Sequence, residues 1–77
     1  MIKTQYIEII YISSNNKIIK SQLEYKNNLT LKEVVELLIK QSIFSKKFLT
    51  ERSFGCFGET IEPDYIVKKN DRIEILD

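Results

Sequence analysis

The sequence predicts an α+β fold, a mixed sheet with one main helix packed on one face, and three observations carry that prediction. The chain has 77 residues, enough for one modest core and too few for two. Apolar residues alternate near both ends, in Ile7-Glu8-Ile9-Ile10-Tyr11 and Arg72-Ile73-Glu74-Ile75-Leu76, as strands with one buried face require. Between them, Thr30-Leu31-Lys32-Glu33 opens a stretch whose apolar residues recur three and four apart, the spacing of a helix with one buried stripe. A single domain over residues 1–77 is expected.

The first strand is expected from Lys3 to Ile12, with Ile7, Ile9 and Tyr11 on one side and Tyr6, Glu8, Ile10 and Ile12 on the other. Ser13-Ser14-Asn15-Asn16 is a cluster of turn formers leading into a second strand, Lys17 to Tyr25, which completes a β-hairpin. On it Ile19, Leu23 and Tyr25 share the side expected to face the core, with Ser21 as a polar gap. Thr30 and Glu33 match the S/T-x-x-E capping box, in which side chains and orphan backbone groups satisfy each other, and Leu29 with Val34 supplies a hydrophobic staple. Leu31, Val34, Val35, Leu38 and Ser42 keep the helical spacing, so a helix is expected from Leu31 to Gln41. Asn28-Leu29-Thr30 also spells a glycosylation acceptor, but the cap accounts for Thr30.

From Ser42 to Arg52, Phe44, Phe48 and Leu49 stand among Lys46 and Lys47 and read as a connector whose aromatics close one edge of the core. Ser53 to Gly58 reads as a short strand ending at Gly58, and Glu59-Thr60-Ile61 as its return. Pro63-Asp64 begins a tight segment with Val67 as apolar anchor, and Lys68-Lys69-Asn70-Asp71 turns into the last strand. There Ile73 and Ile75 face one side and Arg72, Glu74 and Leu76 the other. Strand, strand, helix, strand, short strand, strand is the β-grasp, or ubiquitin-like, order. Order alone does not specify function.

Twelve basic and eleven acidic side chains leave a net charge of +1, which gives no field to attract nucleic acid. The Lys and Phe residues between Phe44 and Phe48 lack the wider basic platform that single-stranded binding uses. With no His and one Cys, the usual zinc sites, the His-based triads and an intramolecular disulfide are excluded. Asp64, Asp71 and Asp77 are scattered without EF-hand spacing, so neither a metal nor a cofactor is expected. Gly55 and Gly58 lack the G-K-S/T and the following helix of a phosphate loop, and both read as turn positions.

No catalytic residue emerges. Cys56, beside Phe54 on an apolar side and with no His to activate it, reads as a structural thiol. Glu8 and Glu74 beside Arg72 read as a solvated ion network rather than an acid–base pair. The first seventeen residues are too short and too alternating for a signal or membrane segment, so a cytoplasmic, non-enzymatic protein without membrane insertion is expected.

Gly55-Cys56-Phe57-Gly58, then Asp64, then Asp71-Arg72-Ile73-Glu74-Ile75 resembles the signature of the RnfH family, G-I-F-G-K…L-D…L-x-D-G-D-R-V-E-I-Y. Gly55, Phe57, Gly58, Asp64, Asp71, Arg72 and Glu74 match that signature directly, while Cys56 stands at an Ile, Glu59 at a Lys, Asn70 at the turn Gly and Ile73 at a Val. Asn is a frequent non-Gly residue in the left-handed region, so Asn70 can keep the turn, and a buried Cys can replace Ile as a small hydrophobe. Ile7-Glu8-Ile9-Ile10-Tyr11 is similar to the family's V-E-V-V-Y strand, so the resemblance frames the domain from Ile7 to Ile75. Two departures stand out: Leu76-Asp77 is not followed by the Pro and basic tail that members often carry, and Ser42-Ile43 stands where the family's helix commonly closes on Ser-Gly-Ile.

The resemblance implies a ubiquitin-like fold and a protein partner: a START-domain protein, beside which members are often encoded, or a component of a membrane electron-transport complex. The family is also similar in fold to bacterial sulfur carriers. That role requires a C-terminal Gly-Gly for adenylation and thiocarboxylation, which Glu74-Ile75-Leu76-Asp77 does not supply; a sulfur-carrier or small-molecule accessory role is therefore the less favoured alternative. The surface expected to bind the partner is the sheet face away from the helix. There Tyr6, Ile10 and Ile12 are expected to adjoin Glu74 and Leu76, with Gly55 leaving the neighbouring strand flat, and an apolar patch with a charged rim is the composition of a docking surface.

Overall fold

The computed structural model describes residues 4–77, and Lys3, the expected start of the first strand, lies outside them. In chain order the elements are β1 (Tyr6–Ile12), β2 (Ile18–Glu24), α1 (Leu31–Lys40), α2 (Lys46–Thr50), β3 (Ser53–Cys56), β4 (Glu59–Ile61) and β5 (Arg72–Leu76). The strands form one sheet in the order β2-β1-β5-β3-β4. Its central pair, β1 and β5, is parallel, and every other pair is antiparallel. Parallel neighbours cannot be joined by a tight turn, so both helices and the β3–β4 hairpin lie within the crossover that connects them.

The two ends of α1 are specified by named side chains. Thr30 Oγ1 accepts the Glu33 N–H at 3.3 Å and the Thr30 N–H donates to Glu33 Oε1 at 3.1 Å, the reciprocal capping box. The two remaining orphan donors of the first turn go to the chain between β4 and β5: Leu31 N–H to the Tyr65 carbonyl at 2.9 Å and Lys32 N–H to the Pro63 carbonyl at 3.0 Å. Val67 N–H to the Leu29 carbonyl, at 2.7 Å, completes the seam and buries Val67. At the other end Ile43 N–H reaches the Leu38 carbonyl and Ser42 N–H the Ile39 carbonyl, the paired bonds of a Schellman stop. Ser42 therefore sits past the helix at φ 58° rather than on its apolar stripe.

Ser42 to Arg52 is more than a connector. Ser45 Oγ accepts the Phe48 N–H at 3.1 Å and starts the five-residue α2. Its Leu49 is buried, and Phe48 stacks on Phe44 at 5.2 Å between ring centres and meets the edge of Tyr11 at 5.0 Å. The β3 strand ends at Cys56, before Gly58, because Phe57 at φ 49° and Gly58 at φ 86° form a two-residue turn whose consecutive positive φ angles match the twist of a hairpin. Gly55 is mid-strand, not in a turn.

Ile7, Ile9, Leu23, Ile73 and Ile75 face the core with Leu31, Val34 and Leu38 of α1. Ile19, expected with them, is 46% exposed: it lies on the edge strand and outside the core cluster, although its register partner Tyr11 is buried. Among the described residues no helix is long and apolar enough to cross a membrane.

A left-handed backbone costs a residue with a Cβ about 1–2 kcal/mol that Gly avoids. Ser42→Gly should therefore stabilise the fold by about 1 kcal/mol, read as a rise in the urea midpoint at unchanged slope, whereas Thr30→Ala should cost about 1 kcal/mol through loss of the cap.

Candidate functional site

The sheet face away from α1 carries Tyr6, Glu8, Ile10 and Ile12 of β1, Arg72, Glu74 and Leu76 of β5, and Gly55 of β3. Register fixes who meets whom. Ile10 lies beside Glu74, Glu74 beside Gly55, and Leu76 beside Ser53. On the other flank Ile12 pairs with Ile18 of β2, which is 56% exposed, and Ile10 pairs with Lys20. Ile10, Ile12, Ile18 and Leu76 thus form one aliphatic cluster, with a shallow groove of about 270 Å³ along Ile10, Ile12, Glu74 and Leu76.

Tyr6 is exposed but stands apart from that cluster. Six residues of extended chain, about 20 Å, separate it from Ile12, and the Glu8–Arg72 pair, with Nε 2.7 Å from Oε1, lies between Tyr6 and Ile10. Parity alone groups Tyr6 with the others, but the register with β5 carries it past Arg72 toward Asn70 and Phe57, with which it borders a second shallow depression. Ile18 takes its place in the cluster. That residue was legible as a strand position opposite Ser21, Leu23 and Tyr25 in parity, but only pairing with Ile12 reveals its neighbour.

Glu74 does not join the ion pair of Glu8 and Arg72. Its carboxylate lies over β3 and accepts the Gly58 N–H at 3.2 Å. A methyl group at Gly55 would stand 3.2 Å from Glu74 Oε1 and 3.1 Å from the Glu59 carbonyl oxygen. Gly55, Gly58 and Glu74 are therefore one device: the bare strand lets the carboxylate lie flat and tie β5 to the hairpin tip.

Asp71 is a second device. It is buried, and its Oδ2 accepts the Lys68 N–H at 2.8 Å and the Tyr65 O–H at 2.9 Å, while its carbonyl accepts the Glu8 N–H at 3.0 Å. Asn70 beside it takes φ 68°, the left-handed turn position. Asp64 is exposed in the loop that caps α1, and Phe57 is exposed at the hairpin tip. Cys56 is buried against this cluster, with the Tyr65 hydroxyl 3.8 Å from its sulfur. Burial pushes the Cys56 thiol above its ordinary 9.0, which keeps it protonated and a poor nucleophile. Burial, and then the hydrogen bond to Asp71, push the Tyr65 phenol up as well.

Two further features escape a sequence reading. Arg52 places its guanidinium 3.7 Å from the Phe48 ring centre and its Nε 3.0 Å from Asp77 Oδ1, while the Tyr11 hydroxyl donates to the same oxygen at 3.1 Å. A groove of about 500 Å³ runs between α1, α2 and the β3–β4 hairpin, floored by Leu31, Val35, Ile39, Leu49, Phe54 and Ile61. Among the described residues no three His, Cys, Asp or Glu side chains gather as metal ligands would.

A mixed sheet in the order β2-β1-β5-β3-β4 gripping one main helix defines a protein of the ubiquitin-like, β-grasp class. Within that class the chain belongs to the RnfH family: the family model described as RnfH family Ubiquitin matches residues 5–77. Among solved structures, one described as "Molecular Mimicry of SUMO promotes DNA repair" superposes with a TM-score of 0.58 at 16% identity, over 94% of this chain and 91% of that chain. At that identity the likeness is one of fold. No curated protein matches the chain in sequence.

Overpacking a close site costs about 1–3 kcal/mol, so Gly55→Val should destabilise the fold by that amount, read as a lower urea midpoint at unchanged slope, with circular dichroism still reporting the native sheet. The Cys56 and Tyr65 protons are held more tightly in the folded chain than in the unfolded one. Their contribution to stability is complete below the unfolded values and is lost as pH rises through the folded ones. Stability should therefore fall above the ordinary thiol value of 9.0, and the decline should be shallower in Tyr65→Phe.

Proposed function

We propose that this RnfH-family chain is a non-enzymatic interaction module that docks a protein partner through the open face of its sheet, with Ile10, Ile12, Ile18 and Leu76 at the centre and Lys20, Arg72 and Glu74 as the rim. The observation that carries this reading is the contiguity of the aliphatic cluster across three neighbouring strands. Ile12 is 52% and Leu76 38% exposed, and neither belongs to the core. Scattered exposed apolar residues are ordinary, but a contiguous set with charges at its border has the anatomy of an interface. Gly55 and Glu74 flank it on the same face, where the bare glycine lets the carboxylate lie low against β3. Tyr6, beyond the Glu8–Arg72 pair, is an outlying contact. The partner is a START-domain protein, with a component of a membrane electron-transport complex as the second candidate, both by family resemblance, and the module acts in the cytoplasm.

The test is calorimetric titration of the purified chain against the START-domain protein of the same genome, and separately against the cytoplasmic domains of the electron-transport complex. Interfaces concentrate their energy in a few central residues, so Ile12→Glu and Ile10→Glu should weaken binding by about a hundredfold while circular dichroism stays native. Tyr6→Ala should cost no more than about threefold. Undiminished binding by both Ile variants would move the interface to the helix side.

The small-molecule accessory role has one observation in its favour, the groove beside α1. Its volume of about 500 Å³ falls in the range of small-ligand sites. Its charged lining is mixed, Lys32, Lys46 and Arg52 beside Glu36 and Glu62, with Arg52 already paired to Asp77, and so singles out no ligand class; the docking reading is preferred.

A further inference from the structure

β2 is an edge strand whose charges, Lys20 and Glu24, are the only usual defence against a second strand that it carries. Its seven residues pair with β1 in unbroken register, without a bulge, and it contains no Pro. Among the described residues no strand lies on its outer side. The direction of its backbone groups follows from the bonds at its two ends. Tyr25 N–H donates to the Gln5 carbonyl and Ser13 N–H to the Lys17 carbonyl, each at 2.8 Å. Antiparallel pairing alternates, so Ile19, Ser21 and Leu23 turn their N–H and C=O groups toward β1. Those of Ile18, Lys20, Gln22 and Glu24 point outward, with no strand partner among the described residues.

We propose that this edge pairs antiparallel with β2 of a second copy, about a twofold axis at Gln22, to form a continuous ten-stranded sheet. The register is chosen by charge. With the axis at Gln22, Lys20 stands opposite Glu24 of the second copy, and by symmetry the pair occurs twice. An axis at Lys20 sets two like charges face to face, and an axis at Ser21 sets Lys20 against Gln22 and Ile18 against Glu24. Lys on an edge normally repels an incoming strand; Glu24, four residues on, converts it into a complement. The same register places Ile19 opposite Tyr25 of the second copy on the other face. Ile19 is the 46% exposed residue for which the core gives no account, and Tyr25 is half-buried. Aliphatic–aromatic and opposite-charge partners are both favourable across strands. The twofold axis runs perpendicular to the sheet, so the open faces of both copies point the same way.

The experiment is sedimentation equilibrium of the full chain over a concentration series, with amide hydrogen exchange at the two ends of the series. Wild type should reach twice its 9.1 kDa chain mass as concentration rises, and exchange should slow at Lys20, Gln22 and Glu24 but not at Ser21 and Leu23, which β1 already protects. Lys20→Glu alone and Glu24→Lys alone each turn two attractive pairs into two repulsive ones, so each should weaken self-association by about tenfold or more. An equimolar mixture of the two variants should associate at least as well as wild type, because every cross-pair is again opposite in sign. That rescue cannot come from a variant that has failed to fold. A wild type that stays monomeric throughout, or a dimer indifferent to both reversals, overturns the proposal; a monomer whose β2 amides slow only with a foreign peptide would assign the edge to another chain.

Discussion

The parallel register of β1 against β5 is the constraint on which the rest of this structure depends. In a sheet, a slip of one residue moves every side chain to the opposite face. Here Ile9 beside Ile73 and Tyr11 beside Ile75 line the core, while Glu8 beside Arg72 and Ile10 beside Glu74 line the open face. A one-residue slip of β5 against β1 would turn Arg72 and Glu74 under α1 and leave Glu8 on the open face without its partner. No tight turn links the pair, so the register must be set from outside, and Asp71 does so. Its carbonyl holds the Glu8 N–H, and its carboxylate holds the turn that delivers β5. The Tyr65 hydroxyl fills its remaining need, and no buried side-chain polar atom among the described residues is left without a partner.

From that register the supports spread outward. The chain before Asp71 spends two of its carbonyls, at Pro63 and Tyr65, on the exposed amides of the first turn of α1, so the loop that positions β5 also positions the helix that covers it. On the far side of β5, Glu74 reaches over Gly55 to the hairpin tip. The signature residues of the C-terminal third therefore split by purpose. Asp71, Gly55, Gly58 and Glu74 hold the sheet together, and the residues that remain available to a partner, Ile10, Ile12, Ile18 and Leu76, lie largely outside the signature.

What could be read from the sequence was whatever is encoded locally. Thr30 and Glu33 announce α1 because both halves of the capping box are side chains three residues apart, and Ile73 and Ile75 announce β5 because alternation survives any context. The short α2 was hidden: Ser45 caps it, but Phe48 stands where a capping box would have Glu, and Lys46 and Lys47 occupy a first turn that favours acidic residues. Ser42 followed the helical spacing by number yet lies beyond the Schellman stop, a conformation that Gly advertises and Ser does not. Ile19 and Tyr6 failed for a different reason. Parity assigns each to a face correctly, but Ile19 lies at an edge-strand position that the core cluster does not reach, and the neighbours of Tyr6 are set by pairing with β5, more than fifty residues away in the chain.

That distinction bears on how the open face and the β2 edge relate. A strand at the edge of a sheet buries less than a central one, so its side chains are released from the core's demand for apolar residues. Yet β2 keeps Ile18 and Ile19 side by side, one on each face, both about half exposed. A single docking surface on the open face would account for Ile18 alone, and loose packing of the core face for Ile19 alone. Pairing along the edge gives each a cross-strand neighbour, Tyr25 of the second copy for Ile19 and the aliphatic stem of Lys26 for Ile18. It also brings two copies of the Ile12–Ile18 pair onto one side of an extended sheet. A partner that engaged both would hold two weak contacts as one, with the second favoured by the effective concentration that the first creates. If both proposals hold, Lys20 borders both surfaces, whereas Glu24 would bear on how many copies assemble and Ile10, Ile12 and Leu76 on what each copy holds.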